Sequence, residues 1–107
     1  MLERDFQAKL IKRIEKEFEG AIVLKNDPNY KQGIPDLAVF FDNGKWAALE
    51  VKKSATAPAR PNQPYYVEKM NKMSYSAFIY PENEEEILDG MASTLRLKRE
   101  TRVSKSK

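Results

Sequence analysis

The chain of 107 residues contains no cysteine and no histidine. Without cysteine it has neither a disulfide framework nor a thiolate site, which fits the cytoplasm. Without histidine, Ser–His–Asp triads and imidazole metal sites are excluded, so any metal must be held by oxygen. No apolar run approaches the ~20 residues a bilayer span requires. The opening MLERDFQ puts charge where a secretory signal needs a continuous apolar region. The expectation is therefore a protein with no membrane segment and no export signal. Hydrophobic residues make up 41% and charged residues 33%, the balance of one globular domain large enough to bury its own core.

The net charge of +3 is unevenly placed. Residues 95–107 carry six Lys/Arg against Glu100, while the preceding residues carry 13 basic and 15 acidic side chains. A basic tail on a nearly neutral body can grip a phosphate backbone without reading sequence. A solvated, disordered end has the same composition, and the charges alone do not choose between the two.

Residues 3–19 predict a helix. Phe6, Leu10, Ile11, Ile14 and Phe18 recur at helical spacing and form one stripe about 140° wide. Glu3 and Gln7 fall inside that stripe, one turn apart. For Glu3 the ordinary explanation is a first-turn acid favoured by the helix dipole; for Gln7, a polar site at the end of the core is the more attractive one. A short strand is expected at 21–25, after Gly20, and then a polar loop over 26–33.

Residues 33–53, GIPDLAVFFDNGKWAALEVKK, dominate the rest. Two apolar segments, 37–41 and 46–51, flank Asp42-Asn43-Gly44. A two-residue Asn-Gly turn would mix apolar and polar positions on both faces. A three-residue loop with Gly44 in the left-handed position pairs Asp36 with Glu50 and segregates the faces. One face is then Leu37, Val39, Phe41, Ala47, Leu49 and Val51. The other carries Asp36, Ala38, Phe40, Trp46, Ala48, Glu50 and Lys52. Because a one-residue slip exchanges every face, the segregated register is predicted. It brings Asp36, Glu50 and Lys52 together with no appeal to function.

Residues 54–64 read as a linker-like loop with three prolines and no glycine, placed where a flexible segment can contact a substrate. A short helix is expected over 65–73, a strand over 74–80, and a final helix over 82–97 with acids first and basic residues last. The run Glu84-Glu85-Glu86 reads as a solvated helix face.

Hard divalent cations such as Mg²⁺ and Mn²⁺ take carboxylate, carbonyl and water oxygens. Asp36 and Glu50 supply carboxylates, and the Val51 backbone carbonyl can supply a third ligand. Lys52, on the face of Glu50, is placed to orient an attacking water or to neutralise developing charge. The structural alternative is a strand-end Asp36 and an ordinary same-face ion pair worth ~0.5 kcal/mol.

These pieces resemble the PD-(D/E)XK nucleases, and more narrowly the stand-alone VRR-NUC domain of the small viral type. The matching residues are Glu3 and Gln7 on the first helix, Gly33-Ile34-Pro35-Asp36, Glu50-Val51-Lys52, and Gln63 ahead of a helix. The resemblance implies an α/β fold, a restriction-endonuclease-like mixed sheet flanked by helices in the order α-β-β-β-α-β-α. It implies Asp36 and Glu50 as metal ligands with Glu3 as a further one, Lys52 as catalytic, and Gln63 and Glu3 as auxiliary site residues. It also implies a homodimeric, Mg²⁺- or Mn²⁺-dependent DNA endonuclease with no organic cofactor, some relatives acting on branched DNA, in a bacterial or virus-infected cell. The nuclease domain would span 1–97, with 98–107 a flexible basic tail. The departure is the proline-rich loop before Gln63. The alternative function is a nucleic-acid-binding module of the same fold that does not cut; a domain that only binds a protein partner is a third.

Overall fold

The computed structural model describes residues 1–100. It is an α/β fold, a four-stranded mixed sheet with three helices. The order is α1 (Glu3–Glu17), β1 (Ile22–Lys25), β2 (Leu37–Phe40), β3 (Trp46–Val51), α2 (Asn62–Met73), β4 (Tyr75–Ile79), a 3-10 turn (Pro81–Asn83) and α3 (Glu84–Leu95). The strands lie in the spatial order β1-β2-β3-β4. The first three are antiparallel, and β4 joins β3 in parallel through the α2 crossover. Among the described residues no helix is long and apolar enough to cross a membrane.

The hairpin adopts the segregated register. Leu37 faces Leu49 and Phe40 faces Trp46 across β2 and β3. The Phe41 N–H donates to the Lys45 carbonyl at 2.9 Å and the Gly44 N–H to the Phe41 carbonyl at 3.0 Å. Gly44 has φ +86°, the left-handed backbone that closes a three-residue loop and that glycine adopts without a Cβ clash. All six residues of the predicted apolar face are buried in one cluster with Phe6, Leu10 and Ile14 of α1, Phe18 just after it, and Leu88, Met91 and Leu95 of α3. Burying each large side chain of that set contributes about 1.5–3 kcal/mol, so the register is fixed by the core.

Four expectations need correcting. The helix after the proline-rich loop begins at Asn62, so Gln63 sits inside its first turn rather than ahead of it. Pro64 is tolerated there because first-turn N–H groups have no intrahelical acceptor to lose. The last helix ends at Leu95, and Arg96 caps it in the left-handed conformation (φ 57°), so the basic residues follow the helix instead of forming its last turn. The acid run is also more than a solvated face: Arg13 donates to Glu84 at 2.8 Å and pairs with Glu85. Finally, Arg99 does not belong to a loose tail. Its side chain is only 6% exposed and pairs with Glu17, Glu85 and Asp89. The remainder of the expected tail, 101–107, lies outside the described residues.

On the sheet face opposite the core, α2 packs over β3 and β4 and leaves the β1–β2 half open. Ile22, Leu24 and Phe40 are exposed there, and Ile22 pairs directly with Phe40.

Candidate active site

The sheet ends near one cleft. Beyond Leu37 the chain carries Asp36, and the Asn26 N–H donates to the Asp36 carbonyl at 2.8 Å, prolonging the β1–β2 pairing. On the neighbouring strand the Val51 N–H donates to Asp36 Oδ2 at 2.8 Å. In an extended strand the N–H and C=O of one residue leave on the same side, so the Val51 carbonyl is also turned toward the Asp36 side. Glu50 and Lys52 project from the face that α2 covers, and both are buried.

Gln63, in the first turn of α2, joins them. Its Nε2 donates to Glu50 Oε2 at 2.8 Å, while its Oε1 accepts from Lys52 Nζ at 2.8 Å. The same Oε1 accepts the Arg60 N–H at 2.8 Å. An amide has a donor end for the carboxylate and, on a separate atom, an acceptor end for the ammonium. Lys52 also donates to the Pro58 carbonyl at 3.1 Å, with Glu50 Oε2 at 3.8 Å. The proline-rich loop, expected to flex over the site, is therefore tied into it through Pro58 and Arg60.

The remaining oxygen of Glu50, Oε1, is buried and has no hydrogen-bond partner among the described residues. Burial, helped by the neighbouring charge of Asp36, pushes the Glu50 carboxyl up to about 8; the Lys52 ammonium pulls the other way without prevailing. A buried carboxylate with one unsatisfied oxygen beside a second carboxylate is an arrangement that a hard cation satisfies. Among the described residues no three acids gather into a cage. The available set is two carboxylates and a main-chain carbonyl, which suits a cation that keeps waters and takes a substrate oxygen, as Mg²⁺ does.

The cleft, about 470 Å³, is lined by Glu3 at one side and by Asp36, Glu50, Lys52 and Gln63 at its floor. Of the two α1 candidates, Gln7 is half-buried and is not among the lining residues. Glu3 stands at the mouth and is exposed, outside any three-acid group. Sequence reasoning passed over Asn29, Gln32, Arg60 and Asn62, which also line the cleft. The only signal they give is polar side chains in the segments that flank Asp36 and Lys52.

The wall carrying Asn29 and Gln32 is seated by Gly33. Its φ is +89°, and a Cβ there would fall 2.3 Å from Asn62 Cβ and 2.9 Å from the Asn62 carbonyl carbon. Gly33→Ala is expected to cost about 2–3 kcal/mol, from left-handed strain plus displacement of the α2 first turn. A thermal midpoint lowered by roughly 10 °C or more would register it; an unchanged midpoint would show that the loop does not rest on α2.

No protein-family model, curated protein or solved structure matches the chain.

Proposed function

We propose that the protein is a divalent-metal-dependent DNA endonuclease of the restriction-endonuclease-like α/β class, similar to the VRR-NUC domains. The observation that carries this reading is the Gln63 bridge. One amide fixes a buried carboxylate and a buried ammonium side by side, and it leaves Glu50 Oε1 unsatisfied next to Asp36.

Mg²⁺ or Mn²⁺ held by Asp36, Glu50 and the Val51 carbonyl would polarise the scissile phosphate and stabilise its leaving oxygen. The chain's own groups do the positioning. The Val51 N–H holds Asp36 in place, and Gln63 holds Glu50 by one oxygen, leaving the other without a hydrogen bond among the described residues. Lys52 has three N–H donors; two are engaged by Gln63 and Pro58, and the third is available to the attacking water or to a phosphate oxygen. Because the first two contacts fix its direction, the third is preorganised rather than recruited during the reaction. Arg60 at the rim adds a cation for the neighbouring phosphate, and Glu3 at the mouth can orient water. DNA is the proposed partner. A homodimer is proposed as well, supported by the open apolar patch of Ile22, Leu24 and Phe40, which a second copy can cover.

Incubation with linear, flapped, looped and four-way DNAs in Mg²⁺, Mn²⁺ or EDTA tests the reading. Cleavage with either metal and none in EDTA is expected. Binding to these DNAs without metal-dependent cleavage of any of them would leave the non-cutting module as the function.

A further inference from the structure

A second cavity, about 490 Å³, is lined by Asn26, Asp27, Tyr30, Lys31 and Ile34. Ile34 also lines the catalytic cleft, so the two cavities share a wall. Tyr30 is 85% exposed and takes no part in the core. Its loop is nevertheless built. The Asn29 N–H donates to Asp27 Oδ1 at 2.9 Å, and the Tyr30 N–H donates to the Asp27 carbonyl at 3.1 Å. At the base, the Asn26 side chain donates to the Pro35 carbonyl at 2.8 Å. An aromatic ring is thus held out in water on an ordered turn, directly beside the cleft.

We infer that this cavity is a subsite for an unpaired nucleobase of the DNA strand being cut. The inference rests on the nuclease reading of the adjoining cleft and names the kind of DNA that cleft would take. A base needs a π face, an apolar floor, polar groups for its edge and a cation for its phosphate. Tyr30 supplies the first and Ile34 the second. Asn26 keeps its amide oxygen free of the Pro35 bond to meet a base N–H, the Asp27 carboxylate adds an acceptor, and Lys31 adds the charge. A base stacked and paired within a duplex cannot place its face on Tyr30, so occupancy requires a flap, a loop or a frayed end next to the scissile phosphate.

The test uses the full chain in EDTA, so that binding is read without cleavage. The DNA is a flapped duplex carrying 5-iodouracil at its first unpaired nucleotides, with a blunt duplex as control. Irradiation is expected to cross-link the flap to Tyr30, located by peptide mapping. Tyr30→Phe keeps the cross-link, whereas Tyr30→Ala loses it and binds the flapped DNA at least about fivefold more weakly with blunt-duplex affinity unchanged. Equal weakening on both DNAs, no weakening, or a cross-link mapping elsewhere overturns the subsite. A chain that cross-links through Tyr30 yet cuts no DNA in Mg²⁺ or Mn²⁺ supports the subsite and defeats the nuclease reading. A chain that cuts but shows no dependence on Tyr30 does the reverse.

Discussion

Glu50→Gln is expected to lower metal-dependent DNA cleavage by at least about a thousandfold while DNA binding stays within a few-fold of the parent. The substitution is nearly isosteric. Its amide oxygen still accepts from Gln63 Nε2, which meets Glu50 Oε2 at 2.8 Å, and its new N–H₂ finds an acceptor in the neighbouring Asp36 carboxylate. What disappears is the negative charge that a cation needs. The fold should not suffer, and pH provides an independent readout. The Glu50 carboxyl rises from its ordinary value near 4.5 to about 8 in the folded chain. Between those values the folded state keeps a proton that the unfolded state has released, so metal-free stability falls as pH rises. Glutamine does not titrate. The variant should therefore gain stability relative to the parent as pH rises from about 4.5 to 8, most of all in EDTA. Saturating Mg²⁺ should flatten the parent's slope, because the cation replaces the proton. Undiminished cleavage by a clean preparation of the variant would remove Glu50 from the chemistry. A parent whose metal-free stability does not decline over that window would show that the carboxyl is not held protonated.

The hairpin register was legible because strand side chains alternate with period two, so a single criterion, apolar segregation, has one solution. That solution sets Asp36 opposite Glu50 with no appeal to function. Helix angles carry less. They tell which side of α1 Glu3 and Gln7 face, but not where along its axis the helix passes the cleft, which Glu3 lines and Gln7 does not. The roles of Pro58 and Arg60 were not visible because a loop with three prolines reads the same whether it hangs free or is tied to Lys52 and Gln63. Gly33 showed only as a turn residue; that it lies against Asn62 depends on a contact 29 positions away, which no local pattern encodes. The charge count of 95–107 missed Arg99 for the same reason: its partner Glu17 is 82 residues distant.

Arg99→Ala is expected to destabilise the fold by about 3 kcal/mol, the range for breaking a buried ion network. That corresponds to a fall in thermal midpoint on the order of 15 °C for a domain of this size. Glu17, itself buried, uses both oxygens: Arg13 Nε donates to Oε2 and Arg99 Nε to Oε1, each at 2.7 Å. Arg99 also binds Glu85 at 2.8 Å and pairs with Asp89 on α3. Two guanidiniums thus hold four acids, including Glu84, from two helices. Removing one of them leaves four negative charges around a single positive one and an unsatisfied oxygen on buried Glu17. Arg99→Lys should recover only part of the loss, because one ammonium cannot match a planar fork facing three carboxylates. High salt should not erase the effect, since a nearly buried pair is weakly screened. The backbone adds to the clamp, with the Glu100 N–H donating to the Glu17 carbonyl at 2.8 Å. Truncation after residue 97 should therefore destabilise the protein about as much as the point variant, whereas truncation after residue 100 should not. A midpoint unchanged by Arg99→Ala would mean that residues 96–100 do not fasten α1 to α3. If the fall is seen, Arg99 is a structural charge already neutralised by its own chain. It then contributes nothing to the salt dependence expected of the proposed DNA binding.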